Sequence, residues 1–342
     1  MTFDLIVLPV SDTLPVAFGT FEARAKSVME TFFQAEIDNP RTRRAYMYGA
    51  ADFFRFVLPV IGNSLAAVNA LHVKGWIERM KGRRLSTPTI KQRLAGLRML
   101  FQALAREQVI PSNPVSVVKG PRYSVERGKT PVLDGDETRR LLDSIDTSSL
   151  IGLRDRAMIG TMAYSFARVS AVTSLIVGDL FHQKQRLWLR LTEKRGKSKD
   201  IPCHHQLEDY IAEWLAAAEL SGAPTAPLFQ TFTWPAEPDG DEDKQEASCE
   251  KRKPRRRIAS GQPMTQAMTW EMIQRRAKAA GIKTKVCNHT FRAAGITAYL
   301  TNGGTIERAA VIAGHESTRT TKLYDRRPDD VTLDEIEKIR FA

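Results

Sequence analysis

Between residues 287 and 326 the chain places His289, Arg292, His315 and Tyr324. Two imidazoles, a guanidinium and a phenol together suit a phosphodiester. The phenol can act as nucleophile, the guanidinium can hold phosphate charge with its planar fork, and the imidazoles can move protons or donate hydrogen bonds. His289 and Arg292 are three positions apart, so they share one face if the stretch opens a helix capped by Asn288 or Thr290. A helix start would add free amides and positive potential for a phosphate. Tyr324 is followed by Asp325, Arg326, Arg327 and Pro328, so it reads as presented, not buried. Each signal is weak alone. A lone histidine at a helix start more often has a structural role, and Gly314 ahead of His315 can simply close a helix. Neither histidine has an acid or thiol at ligand spacing, so no metal site is expected.

Such residues need a scaffold, and the patterning supplies one. Upstream, residues 150–166 read as a long apolar helix, followed by a segment holding Arg168. Residues 186–194 and 198–204 alternate apolar and polar around Arg195, Gly196 and Lys197, which predicts a β-hairpin. Asp134 or Asp136 can cap a helix, residues 206–222 predict an amphipathic helix ending at Gly222, and residues 263–281 predict another. Residues 227–232 read as a short buried segment.

The first third is helical by the same test. Val28, Met29, Phe32 and Phe33 form one stripe, and Tyr46, Ala50, Phe53, Phe54 and Val57 a second that Pro59 and Gly62 end. A third helix is expected over 65–80. Ile90, Leu94, Leu97, Leu100, Phe101 and Leu104 make a fourth stripe, with Thr87 as cap and Pro88 at its first position. Arg41, Arg43, Arg44, Lys81, Arg83, Arg84, Lys91, Arg93 and Arg98 cluster on this unit, either as solvated faces or as grips on a phosphate backbone.

At 342 residues two domains are expected. The organisation read here is an irregular arm at 1–19, a helical domain at 20–110, a linker at 111–132 and a second domain at 133–330. A charged insertion at 234–257 and a C-terminal helix or tail at 331–342 complete it. A formal charge of +12 favours a polyanionic partner, because neutralised phosphates release condensed counterions. Three widely spaced cysteines, Cys203, Cys249 and Cys287, form no CxxC pair and suit a reducing cytoplasm. The N-terminus lacks the basic region of a signal peptide, and no run has the length of a membrane span.

Taken in order, Arg168, Lys194, His289-Thr290-Phe291-Arg292, Gly314-His315 and Tyr324 resemble the tyrosine recombinase, or phage integrase, family, which includes lambda-integrase-like and Xer-like enzymes. The intervals of 23 residues from Arg292 to His315 and nine from His315 to Tyr324 match its pattern. Arg168, Ser170 and Asp179 fill its first arginine box, although Ala171 stands where an acid is common. The segment from Glu193 to Pro202 resembles its lysine hairpin. Lys194 matches the catalytic lysine, with Lys197 and Lys199 on the same hairpin.

The resemblance implies a mainly α fold with a small β-sheet or hairpin. An N-terminal helical core-binding domain would precede a C-terminal catalytic domain. It implies a site-specific recombinase or integrase that cleaves and rejoins DNA through a 3′-phosphotyrosyl intermediate with Tyr324 as nucleophile. Arg168 and Arg292 would hold the phosphate, and Lys194 would protonate the leaving 5′-oxygen. His289 would accept the tyrosine proton or hold the phosphate, and His315 would bind a phosphate oxygen and place Tyr324. No cofactor or metal is implied. The partners would be double-stranded DNA and copies of the same chain, as a tetramer on synapsed sites, in a prokaryotic cytoplasm at the nucleoid. A non-catalytic DNA-binding protein of the same fold and a type IB topoisomerase-like enzyme are the alternatives.

Overall fold

The computed structural model describes residues 18–19, 21–125, 128–193, 196–234, 257–326, 336–337 and 339. Lys194, most of the 1–19 arm, nearly all of the 234–257 insertion and most of the 331–342 tail lie outside them. The chain divides into two units, Met1–Ser124 and Val125–Ala342.

Four helices build the first unit: α1 (Ala23–Ala35), α2 (Pro40–Ile61), α3 (Ala70–Gly82) and α4 (Thr87–Arg106). Local chemistry sets their starts. Asn39 accepts from the amides of Arg41 and Thr42, with Pro40 in the first turn where a missing N–H costs nothing. Ser86, not Thr87, caps α4 by accepting from Thr89 N. Pro59 does not stop α2, which runs on to Ile61 and ends at Gly62 with φ +59°. A proline one turn from a helix end forfeits only one ladder bond. The stripes meet in a core where Phe53 lies edge-on to Trp76, Phe54 and Phe101.

The basic residues of this unit divide into two sets. Arg83 and Arg93 both pair with Asp52, at 2.8 and 2.9 Å, and Trp76 Nε1 donates to the same carboxylate at 3.0 Å. Arg43 closes over the carbonyls of Gln34 and Ile37, and Arg98 donates to Val118 O. These arginines hold their own unit together. Arg44, Arg84 and Lys91 stand exposed.

In the second unit Asp134 and Glu137 form a capping box at the start of α5 (Gly135–Asp143). The helix α6 (Leu150–Tyr164) is buried on nearly every side. Asp155 on α6 is fully buried and accepts from Arg154, Arg275 and Arg276, which fastens α6 to α9 (Gln266–Ala279). A buried carboxylate needs such partners, because taking an unpaired charge out of water costs several kcal/mol.

After the short α7 (Val169–Thr173) comes an antiparallel sheet of β1 (Leu180–Gln183), β2 (Arg186–Thr192) and β3 (Ser198–Pro202), in that order. Leu187, Leu189 and Leu191 face inward along β2. The expected hairpin is β2–β3, and β1 is an additional strand. A second pair, β4 (Gln230–Thr233) and β5 (Ile258–Pro263), flanks the insertion. The helix α8 (His205–Ala217) ends before Gly222. The fold closes with α10 (Thr290–Thr301), α11 (Ile306–Ala313) and α12 (Thr318–Lys322). The approach of α10 to α6 requires Gly295, where a Cβ would lie 2.1 Å from Ala163 O. Among the described residues, no helix is long and apolar enough to cross a membrane.

Candidate active site

Arg292 is the centre of the site. Its side chain descends from the first turn of α10 and is 1% exposed. Nη1 donates to Phe166 O, and Nη2 donates to Ala313 O at 2.6 Å and to His315 Nε2 at 2.7 Å. Among the described residues no carboxylate pairs with it, and its Nε is buried without a partner. Burial, then the charge of Arg168, pulls this guanidinium down to about 10. A buried cation without an ion-pair partner is expensive, and an incoming anion would neutralise it.

His315 is fixed by both nitrogens. Arg292 can only donate, so Nε2 is an acceptor and the ring proton sits on Nδ1, 2.9 Å from Thr321 Oγ1. Burial, followed by Arg292, Arg168 and Lys199, pulls this imidazole down to about 4, so it is neutral at physiological pH. Its ring stacks on Tyr324 at 5.6 Å and 15°. The Arg292 guanidinium carbon lies 5.9 Å from the centre of the same phenol ring. Tyr324 lies two residues past the end of α12, its N–H donating to Thr321 O at 2.9 Å and its carbonyl accepting from Thr297 Oγ1 at 2.8 Å. It is therefore half-buried against His315 and Arg292, and not fully presented as the charged residues after it suggested.

Arg168 occupies the N-cap position of α7 and reaches the same place from the other side. It pairs with Glu193 just past the end of β2. A cleft of about 550 Å³ is lined by Arg168, Glu193, Lys199, Gly314, His315 and Thr320, among others. Gly314 closes α11 in the left-handed conformation, φ +61°, which turns the chain so that His315 faces the cleft. Lys197 is exposed and lies 3.4 Å from Glu316. Lys194 is outside the described residues.

His289 is not inside the first helical turn. It is itself the residue before α10, with no side-chain capping bond, while Thr290 Oγ1 accepts from Cys287 N. The residue as a whole is exposed. Desolvation, then the charges of Arg292 and Arg168, still holds it below the ordinary histidine range.

The structure thus gathers Arg168, Arg292, His315 and Tyr324, with His289 close enough to feel both arginine charges. It also brings in residues that spacing did not single out. Glu193 shares the hairpin with the lysine candidates, and the strand alternation was its only sequence signal; Lys199, already noted there beside Lys194 and Lys197, lines the cleft. Thr321 and Arg326 lie within three residues of Tyr324. Arg326 donates to Thr130 O at 3.1 Å and to Gly128 O, while Gly128 N donates to Leu323 O at 3.0 Å. That lattice pins the tyrosine turn, and a Cβ on Gly128 would lie 2.1 Å from Leu323 O. Burial pushes the Cys203 thiol up to about 12 and leaves it unreactive. Among the described residues no cluster of three or more His, Cys, Asp or Glu could hold a metal ion.

Comparison with known proteins follows this geometry. The model described as "Phage integrase family" matches residues 131–330, and that of "Phage integrase, N-terminal SAM-like domain" matches residues 30–108. The tyrosine recombinase XerC of Pelotomaculum thermopropionicum is 22% identical over 308 residues, covering 88% of this chain and 91% of its own length. Among solved structures, XerH site-specific recombinase bound to palindromic difH substrate superposes with a TM-score of 0.62 at 18% identity. That match covers 82% of this chain and 75% of the other. A lambda integrase tetramer bound to a Holliday junction gives a TM-score of 0.63 at 14% identity, covering 91% of this chain and 79% of the other.

Proposed function

The chain belongs to the phage integrase family and is a site-specific tyrosine recombinase, an enzyme that cleaves and rejoins DNA, and on that premise we propose how its residues divide the work. Tyr324 attacks a DNA phosphodiester, forming a 3′-phosphotyrosyl ester and releasing a 5′-hydroxyl. The energy of the broken bond is kept in the new ester, so rejoining is the same step reversed.

Arg292 and Arg168 hold the non-bridging oxygens and stabilise the charge of the pentacoordinate transition state. Guanidinium suits this, being always charged and able to bind phosphate through two parallel hydrogen bonds. His289, kept neutral by its surroundings, accepts the phenol proton. His315 supports the phenol ring through their stack and steadies Arg292 through Nε2. Lys194 gives its proton to the departing 5′-oxygen.

Duplex DNA is the substrate, gripped by the helical domain at 20–110 as well as by the catalytic domain at 133–330, with 111–132 as linker. Four protomers assemble on two sites. The place of action is the prokaryotic cytoplasm, at the nucleoid.

The observation that carries this reading is Arg292: a cation 1% exposed, unpaired with any carboxylate among the described residues, beside a tyrosine ring. The test is a nicked suicide substrate bearing the cognate site. Wild type is expected to form a covalent adduct, and Tyr324→Phe none. An adduct of undiminished yield from Tyr324→Phe would remove Tyr324 from the nucleophile's role.

A further inference from the structure

The site holds one carboxylate that the chemistry above does not use. The Glu193 side chain is 8% exposed, and one of its oxygens accepts from Arg168 Nη1. The other lies 3.3 Å from Lys199 Nζ on β3, without a well-formed hydrogen bond. Lys199 donates instead to Ile312 O in the last turn of α11, immediately ahead of Gly314 and His315. The backbone of Glu193 is fixed at both ends: its N–H donates to Lys197 O at 2.7 Å, and its carbonyl accepts from Gly196 N at 3.2 Å.

A buried carboxylate in a cleft built for a phosphate opposes anion binding, so its presence asks for a reason. The reason lies with Arg168. Its long side chain is 32% exposed, and among the described residues Glu193 is its sole hydrogen-bond partner. Ala171, three positions along α7, offers it nothing. An arginine held at one nitrogen loses rotamer freedom before the substrate arrives, while its remaining N–H donors stay free for phosphate.

We propose that Glu193 is a positioning residue that aims Arg168 at the scissile phosphate, with Lys199 as the countercharge that ties the pair to α11. The proposal rests on the reading of Arg168 as a phosphate-holding group. The groups facing Lys199 are Glu193 at the end of β2, Arg168 at the head of α7, Arg292 on α10 and His315 after α11. Lys197 and Glu316 stand at the rim of the same cleft. Burial, together with the charges of Arg292 and Arg168, pulls the Lys199 ammonium down to about 8, and Glu193 opposes that pull. Removing the Glu193 charge therefore lowers Lys199 further.

The experiment measures single-turnover adduct formation by the full chain on the suicide substrate, with DNA affinity measured separately. Glu193→Gln and Glu193→Ala are expected to slow adduct formation roughly 10–100-fold, the cost of a misaimed catalytic group, with DNA affinity nearly unchanged. Glu193→Asp is expected to recover part of the rate. In wild type an alkaline fall in rate is expected near pH 8, as Lys199 loses its charge, and at lower pH in Glu193→Gln. In an Arg168→Lys background, Glu193→Ala is expected to change the rate less than about 2-fold, because its effect runs through Arg168. Near-wild-type or faster rates in Glu193→Gln, with the alkaline limb unmoved, would overturn the proposal. Undiminished adduct from Arg168→Ala would instead overturn the underlying assignment of Arg168, whatever the Glu193 variants do.

Discussion

Replacing Arg292 by methionine should separate stability from activity. The guanidinium is 1% exposed and is pulled well below its ordinary value, to about 10, chiefly by burial. Keeping it charged at neutral pH therefore costs the fold about 3 kcal/mol. The sign follows from the protons: the unfolded arginine holds its proton more tightly, so this cost is present throughout the neutral range and fades only as pH rises above about 10. Methionine removes the cost and fills much of the same volume.

It also strips Phe166 O, Ala313 O and His315 Nε2 of a donor, at about 1 kcal/mol each. The two effects are of similar size. Thermal unfolding of Arg292→Met should thus lie within roughly 2 kcal/mol of wild type, a shift of less than about 8 °C in a unit of this size. Adduct formation should fall at least roughly 10²–10³-fold, the usual loss for one preorganised donor to a developing oxyanion. Calorimetry and single-turnover trapping measure the two arms. Severe destabilisation together with cleavage close to wild type would refute the reasoning, since it would make Arg292 a structural cation.

Three further outcomes are expected. His315, held near 4, should show no ring titration by NMR between about pH 5.5 and 8; a midpoint near the ordinary 6.5 would contradict the assigned tautomer. Because its folded value lies below the unfolded one, the stability tied to it is intact above 6.5 and declines as pH falls towards about 4. Arg326→Ala removes the bonds to Gly128 O and Thr130 O that pin the tyrosine turn, and should slow adduct formation roughly 10–100-fold with DNA affinity retained; equal loss of rate and affinity would point to a DNA contact instead. Phe53→Ala, at a position 0% exposed among Trp76, Phe54 and Phe101, should destabilise the first unit by about 3–5 kcal/mol in denaturant melts, and a loss under about 1 kcal/mol would contradict the packing described.

Much of the fold was legible in the sequence, because helix stripes and caps are local. The stripes through Phe53 and Leu97, the Asp134 cap and the Gly314 helix stop all depend on residues within a few positions of each other. Where the local signal was ambiguous the reading slipped: Ser86 caps α4, α2 continues through Pro59, and α10 begins after His289. The short strand β1 carries no long alternation of its own and exists by pairing with β2.

The sequence by itself determined the chemical types present, their order and their spacing, and so the class of reaction and the tyrosine that would lead it. Tertiary structure alone decided the states of those groups. Arg292 meets Phe166 O from 126 positions away, and Lys199 meets Ile312 O from 113 positions away. Those meetings set what is dry, what is neutral and what is aimed. Desolvation and charge act over a few ångströms of space, whatever the distance along the chain. For that reason Glu193, an unremarked acid beside the lysine candidates, emerges as the partner of Arg168 only once β2 and α7 are packed together.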